Sequence, residues 1–125
     1  MFLDGVLQDD TLEVQGSPKA STMPLTIGAN PGPNDSSENH FSGVIDEVRV
    51  SKVARYSTNF APAPRFIPDA ATIALYHFDE GQGDIVYDAS LNGNHGLIQN
   101  ATWVKGIAGG TLLRKRGKEA DSERR

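Results

Sequence analysis

Apolar positions along this chain fall in short runs, each closed within a few residues by turn formers. Phe2-Leu3 and Val6-Leu7 flank Asp4-Gly5, a pair that tolerates positive φ at both positions, and the six residues predict a tight β-hairpin. Pro24 to Ala29 predicts a strand that stops in Asn30 to Ser37, where nearly every residue favours a turn and an exposed loop is expected. From Phe41 to Val50 the alternation places Val44, Asp46, Val48 and Val50 on one face of a strand and Ile45, Glu47 and Arg49 on the other. Ser51 to Tyr56 fits a single helical turn, and Ser57 to Asp69, with three prolines, reads as an extended connection. Thr72 to Phe78 predicts another strand, with Ala74, Tyr76 and Phe78 on one face and Leu75 and His77 on the other; Tyr76 and Phe78 are the expected core pair. Ile85 to Tyr87, Leu97-Ile98 and Ala101 to Val104 are shorter strands, set apart by a turn at Glu80 to Asp84 and a polar loop from Asp88 to Gly96. Short strands divided by turns at intervals of about 8 to 12 residues are the pattern of an antiparallel sandwich or barrel.

Composition agrees with that class and limits its size. The 125 residues, 38% hydrophobic, suffice for one modest core, and 13 Gly with seven Pro disfavour long helices. There is no Cys, which removes disulfides, thiolate metal sites and cysteine nucleophiles together. The net charge of −4 divides unevenly. Thr111 to Arg125 holds six of the 12 Lys and Arg but three of the 16 acids, so the rest of the chain is strongly acidic. An acidic body does not suit a phosphate-binding surface, and no nucleic-acid partner is expected. The basic run Arg114-Lys115-Arg116 is read as part of a charged, disordered tail over 107–125. Apolar runs are far shorter than the roughly 20 residues that span a bilayer, so no membrane insertion is expected. Met1 leads directly into a strand-like stretch with no signal-peptide pattern, which suggests a chain that begins inside a domain whose earlier strands lie elsewhere.

Six blocks of the sequence, in two sets of three, together carry a family resemblance. Ala74 to Gly83, Tyr87 to Gly96 and Ala101 to Val104 look like the opening of a laminin-G-like jelly roll; Phe2 to Gly5, Leu25 to Gly28 and Phe41 to Tyr56 look like the closing half of one. The chain thus resembles a concanavalin A-like, all-β jelly-roll sandwich in partial or permuted form. It divides into a closing half over 1–56, a linker over 57–70, an opening half over 71–106 and a tail over 107–125. Similar arrangements occur in large bacterial surface and multidomain proteins of planctomycete type. The resemblance implies an extracellular or cell-surface location and a carbohydrate or protein ligand. Because strands of the complete fold are missing, the rest of a parent protein or a second chain is the expected partner. First and last strands are neighbours in such a sheet. Thirteen extended residues reach roughly 40 Å at about 3.3 Å each, so the linker allows the closing strand to pair with the opening one.

Four oxygen-bearing side chains are candidate calcium ligands. Asp88, Asn92 and Asn94 lie in the polar loop, with Asp46 brought in from the closing strand, and hard cations take such oxygens. The resemblance adds that some relatives bind calcium near such loops. The competing reading makes Asp88 and Asn92 turn caps and puts Asn94 in left-handed geometry. Asp46-Glu47 and Asp79-Glu80 are adjacent acids, and adjacent strand residues point to opposite faces, so neither pair makes a two-carboxylate glycosidase site and no catalytic residues are assigned. Asp46 and Glu47 read instead as an exposed pair opposite Arg49 and Lys52, or as a turn cap. His40, His77 and His95 lack metal-site spacing and are given surface or packing roles. Trp103 is expected as a core anchor, with sugar stacking by Trp103, Tyr76 or Tyr87 the alternative. Asn34-Asp35-Ser36 and Asn100-Ala101-Thr102 match glycosylation acceptors. A non-catalytic binding module is therefore expected, with a ligand-free structural spacer as the alternative and a glycoside hydrolase relative as a remote third.

Overall fold

A computed structural model describes residues 1–9, 16, 20–31, 37–105 and 111–115. Within them the chain is all-β, with no helix and only antiparallel pairings. β1 (Phe2–Leu3) and β2 (Val6–Leu7) form the expected hairpin, turning on Asp4 at φ 50° and Gly5 at φ 80°. Positive φ at both turn positions matches the right-handed twist of the two strands. Gly5 is required for a second reason: a Cβ there would overlap the carbonyl oxygen of Phe60. The glycine carbonyl in turn accepts from Phe60 N at 2.9 Å, and Asn59 Oδ1 accepts from Leu7 N at 2.8 Å. Phe2, Tyr56 and Phe60 close this contact, Tyr56 and Phe60 stacked at 3.5 Å between centroids.

The stretch Pro24 to Ala29, expected as a strand, is none. Thr26 Oγ1 bonds back to Ala29 O at 2.9 Å, and Gly28 turns at φ 77°, where a Cβ would press on Ile45. Local side chain to main chain bonding of this kind competes with ladder pairing. Pairing begins where a loop was expected, in β3 (Asn30–Pro31) against β4 (Ser37–Glu38); the remainder of that loop, with Asn34, lies outside the described residues. The next strand is broken. β5 (Val44–Ile45) and β6 (Val48–Ser51) are separated by Asp46 and by Glu47 at φ 49°, a left-handed kink that resets the alternation. As a result Ile45, Val48 and Val50 pack on the core, while Val44 and Asp46 are exposed. No helical turn follows at 51–56. Arg55 reaches instead to Ser51 Oγ at 2.8 Å and, bidentately, to Asp69 at 2.6 and 2.7 Å.

Across the connection, β7 (Thr72–Tyr76) pairs with β6 in register Val48↔Tyr76, Arg49↔Leu75 and Val50↔Ala74, with an irregularity before Ser51↔Thr72. Phe78 lies beyond the strand end at φ 55°. β8 (Ile85–Val86) pairs with β9 (Gly96–Leu97). β10 (Ala101–Lys105) pairs with β11 (Thr111–Lys115), and β11 also pairs with β5. β11 lies in the segment read from charge as a tail, where Thr111-Leu112-Leu113 is a β-compatible run just ahead of the basic residues. Ala74, Tyr76, Phe78 and Val86 form the core cluster, with Ile45, Val48, Val50, Ile98 and Trp103 packed against it. Leu75, on the opposite face of β7, is fully buried, so both faces of this strand are covered.

Candidate functional site

One face of the core stays open. A cavity of about 430 Å³ runs between the segment 24–29 and the segment 94–101. Ile45, Tyr76, Phe78 and Val86 reach it from the core, whereas Leu25, Phe41 and Leu97 line it as exposed side chains. Polar side chains among its lining residues are the minority: Thr26, His40, Tyr76 through its hydroxyl, Asn94, His95 and Gln99. Apolar walls with a small number of polar groups to fix orientation are typical of ligand sites. Trp103 does not line this groove; it packs on the core, and its indole N–H donates to Gly83 O at 2.9 Å. Tyr87 is exposed and meets His95 edge to face at 5.3 Å.

Of the four candidate calcium ligands, Asp88, Asn92 and Asn94 come together in one loop, while Asp46 belongs to the β5–β6 kink with Glu47, Asp79 and Arg65 as its charged neighbours. The buried Asp88 carboxylate accepts from Leu75 N (2.9 Å), Ser90 N (2.9 Å), Ser90 Oγ (2.8 Å) and Asn94 N (3.0 Å). Burial alone would raise its pKa; these bonds from Ser90, Leu75 and Asn94 outweigh burial and hold it below the ordinary 3.8. Asn92 Nδ2 donates to Thr72 O and Ile73 O, and Asn94 Nδ2 donates to Ile73 O. Ala89 N adds a main-chain bond to Leu75 O at 2.8 Å. The loop thereby covers the edge of β7 that β6 leaves free, satisfying donors and acceptors that an open sheet edge would expose. Among the described residues no group of three or more His, Asp or Glu side chains is gathered to hold a metal ion.

A second polar cluster joins three parts of the chain. Glu47 Oε1 lies 2.7 Å from His77 Nδ1 and 3.6 Å from Arg65, and Glu47 Oε2 accepts from Phe66 N at 2.8 Å. Arg65 also pairs with Asp79 at 2.6 Å. Glu47 is therefore largely buried and faces His77 and Arg65, not Arg49 or Lys52 as its sequence neighbourhood suggests. Arg49 instead lies over the Phe66 ring, 4.4 Å from its centroid. Asp46 is partly desolvated, and burial, then the nearby carboxylates of Glu47 and Asp79, raise its pKa against the Glu47 N–H bond and Arg65. The partners of Glu47 are 19 and 30 residues away, so nothing in the local pattern announces the cluster. Only the left-handed backbone at Glu47, a position with no turn signal, marks the junction.

The carboxylates beside these clusters are engaged structurally. Glu80 Oε1 accepts from Tyr87 N at 2.8 Å, and Glu80 Oε2 is buried without a hydrogen-bond partner among the described residues. No helix of the described residues is long and apolar enough to cross a membrane. No protein-family model, no curated protein and no solved structure matches the chain.

Proposed function

We propose that the chain is a non-catalytic binding module of laminin-G-like, jelly-roll type within a larger extracellular protein, and that the groove over the core seats its carbohydrate or protein ligand. The observation that carries this reading is the 430 Å³ cavity itself, apolar at its floor and bearing His40, Asn94, His95 and Gln99. The long-range pairing of β6 with β7 also supports it, because a closing strand beside an opening strand is what a permuted sandwich needs. Against a catalytic role stand the acids, which hold main-chain amides, Arg65 and His77 instead of facing one another across an open cleft. Calcium belongs to the same proposal through the oxygens of the Asp88 loop and is tested with it.

An array of glycans and extracellular protein fragments, followed by calorimetry with calcium and with chelator, tests the module. The expected result is a ligand whose affinity falls at least tenfold, about 1.4 kcal/mol, in Phe41→Ala, since Phe41 is an exposed groove residue. A calcium-dependent difference would assign the loop to metal. Absence of any ligand under both conditions would leave the spacer role. Hydrolysis of a β-glucan abolished by Asp46→Asn would overturn the non-catalytic reading.

A further inference from the structure

We infer that Asn92 is a site of spontaneous deamidation and that its modification releases the Asp88–Asn94 loop from the edge of β7. Asn92-Gly93 is the only Asn-Gly pair in the sequence. Asn92 is exposed, Gly93 adopts φ 77°, and apart from the two adjacent residues no described atom lies within 4 Å of where a Cβ on Gly93 would stand. Lacking a Cβ, Gly93 has no side chain of its own to hinder attack by its nitrogen. In the reaction the deprotonated Gly93 nitrogen attacks Asn92 Cγ, a C–N bond forms, and the Cγ–Nδ2 bond breaks with nitrogen leaving as ammonia. Water then opens the cyclic imide at either carbonyl, giving aspartate or isoaspartate. Water is the only co-reactant.

The consequence follows from what Asn92 Nδ2 holds. It donates to Thr72 O at 3.1 Å, Ile73 O at 3.0 Å and Ser90 Oγ at 3.1 Å. A carboxylate has no hydrogen to give, so three attractive contacts are replaced by a negative charge facing two carbonyl oxygens. The Asp88 carboxylate is one hydroxyl away, since Ser90 Oγ donates to Asp88 Oδ2 at 2.8 Å. Like charge therefore adds to the lost bonds. The same three bonds restrain the carboxamide from turning toward Gly93, so the reaction proceeds when the loop opens, and the fold slows it.

The intact chain is aged in mildly alkaline buffer and mapped by peptide mass spectrometry with isoaspartate labelling. Expected is modification at Asn92 several-fold faster than at any other asparagine, and several-fold slower than in a free peptide spanning residues 88–96. Amide hydrogen exchange at Leu75 and Ala89, the donors of two bonds that join this loop to β7, is expected to quicken in the aged fraction and in Asn92→Asp. Asn92→Gln, which keeps the amide but closes the ring poorly, should neither age there nor show that change with time. Modification at Asn92 no faster than at Asn94 or Asn100 would overturn the site. Wild-type exchange in the aged fraction would overturn the release, and reading it on aged wild-type chain keeps that test independent of whether Asn92→Asp folds.

Discussion

Asp88 and Asp46 are both partly withdrawn from water and respond in opposite ways. Asp88 has a folded-state pKa below the ordinary value of 3.8, so its contribution is complete above that pH and is lost as pH falls through the lower folded value. Asp46 has a folded-state pKa above 3.8, so ionising it costs the folded state, and its effect on stability turns unfavourable as pH rises from 3.8 through the raised value. Asp88→Asn should therefore lower stability at neutral pH by about 2 kcal/mol, because an NH2 donor replaces the carboxylate oxygen that accepts from Ser90 Oγ and Asn94 N, and the bonds from Leu75 N and Ser90 N lose their charged acceptor. Asp46→Asn should be neutral or slightly stabilising at the same pH. Urea denaturation of both variants at neutral pH and near pH 3 checks the pair: the deficit of Asp88→Asn should narrow in acid. That Asp88 caps its own loop was legible from the Asp-Ala-Ser-Leu-Asn sequence, since short polar side chains bond to nearby amides. Its bond to Leu75 N, 13 residues away, was not.

At the level of elements, the β5–β6 break decides which residues face the core. A strict alternation from Val44 to Val50 would turn Asp46 inward with the valines. The kink at Glu47 places Ile45 inward instead and leaves Asp46 at the surface. The kink is held by the Phe66 amide, His77 and Arg65, which compensate an L-residue for left-handed backbone. Glu47→Ala and Glu47→Gly remove the same side-chain contacts, but glycine also removes the positive-φ cost. Glu47→Gly should thus be about 1 kcal/mol more stable than Glu47→Ala by chemical denaturation. Gly5→Ala tests another junction. Its Cβ would overlap Phe60 O, so exchange at the Leu7 and Phe60 amides should accelerate as the hairpin parts from the connection.

For the whole molecule, β7 is the strand on which the other parts depend. It pairs with β6, carries Ala74 and Tyr76 of the core cluster on one face and Leu75 on the other, and has its outer edge covered by the Asp88 loop. Leu75→Ala should cost about 2 to 5 kcal/mol through the cavity it opens. Loss of Trp103 fluorescence and of exchange protection in β6 should follow one transition in this variant. Two separate transitions would mean that β10 and β6 do not share one cooperative core.

The all-β class, the Asp4-Gly5 hairpin and the Tyr76–Phe78 core pair could be read from the chain alone, because each depends on period-2 alternation or on residues tolerant of positive φ within a few positions. Tertiary structure decided which strands are neighbours, where the alternation breaks and what the polar side chains hold. Glu47 meets a histidine 30 residues away, β11 forms where charge suggested a tail, and the groove exists only once segments 24–29 and 94–101 stand over the same core. Such contacts are chosen by burial and by the need to satisfy main-chain groups across long loops. Those quantities belong to the assembled chain, and no short stretch of residues encodes them.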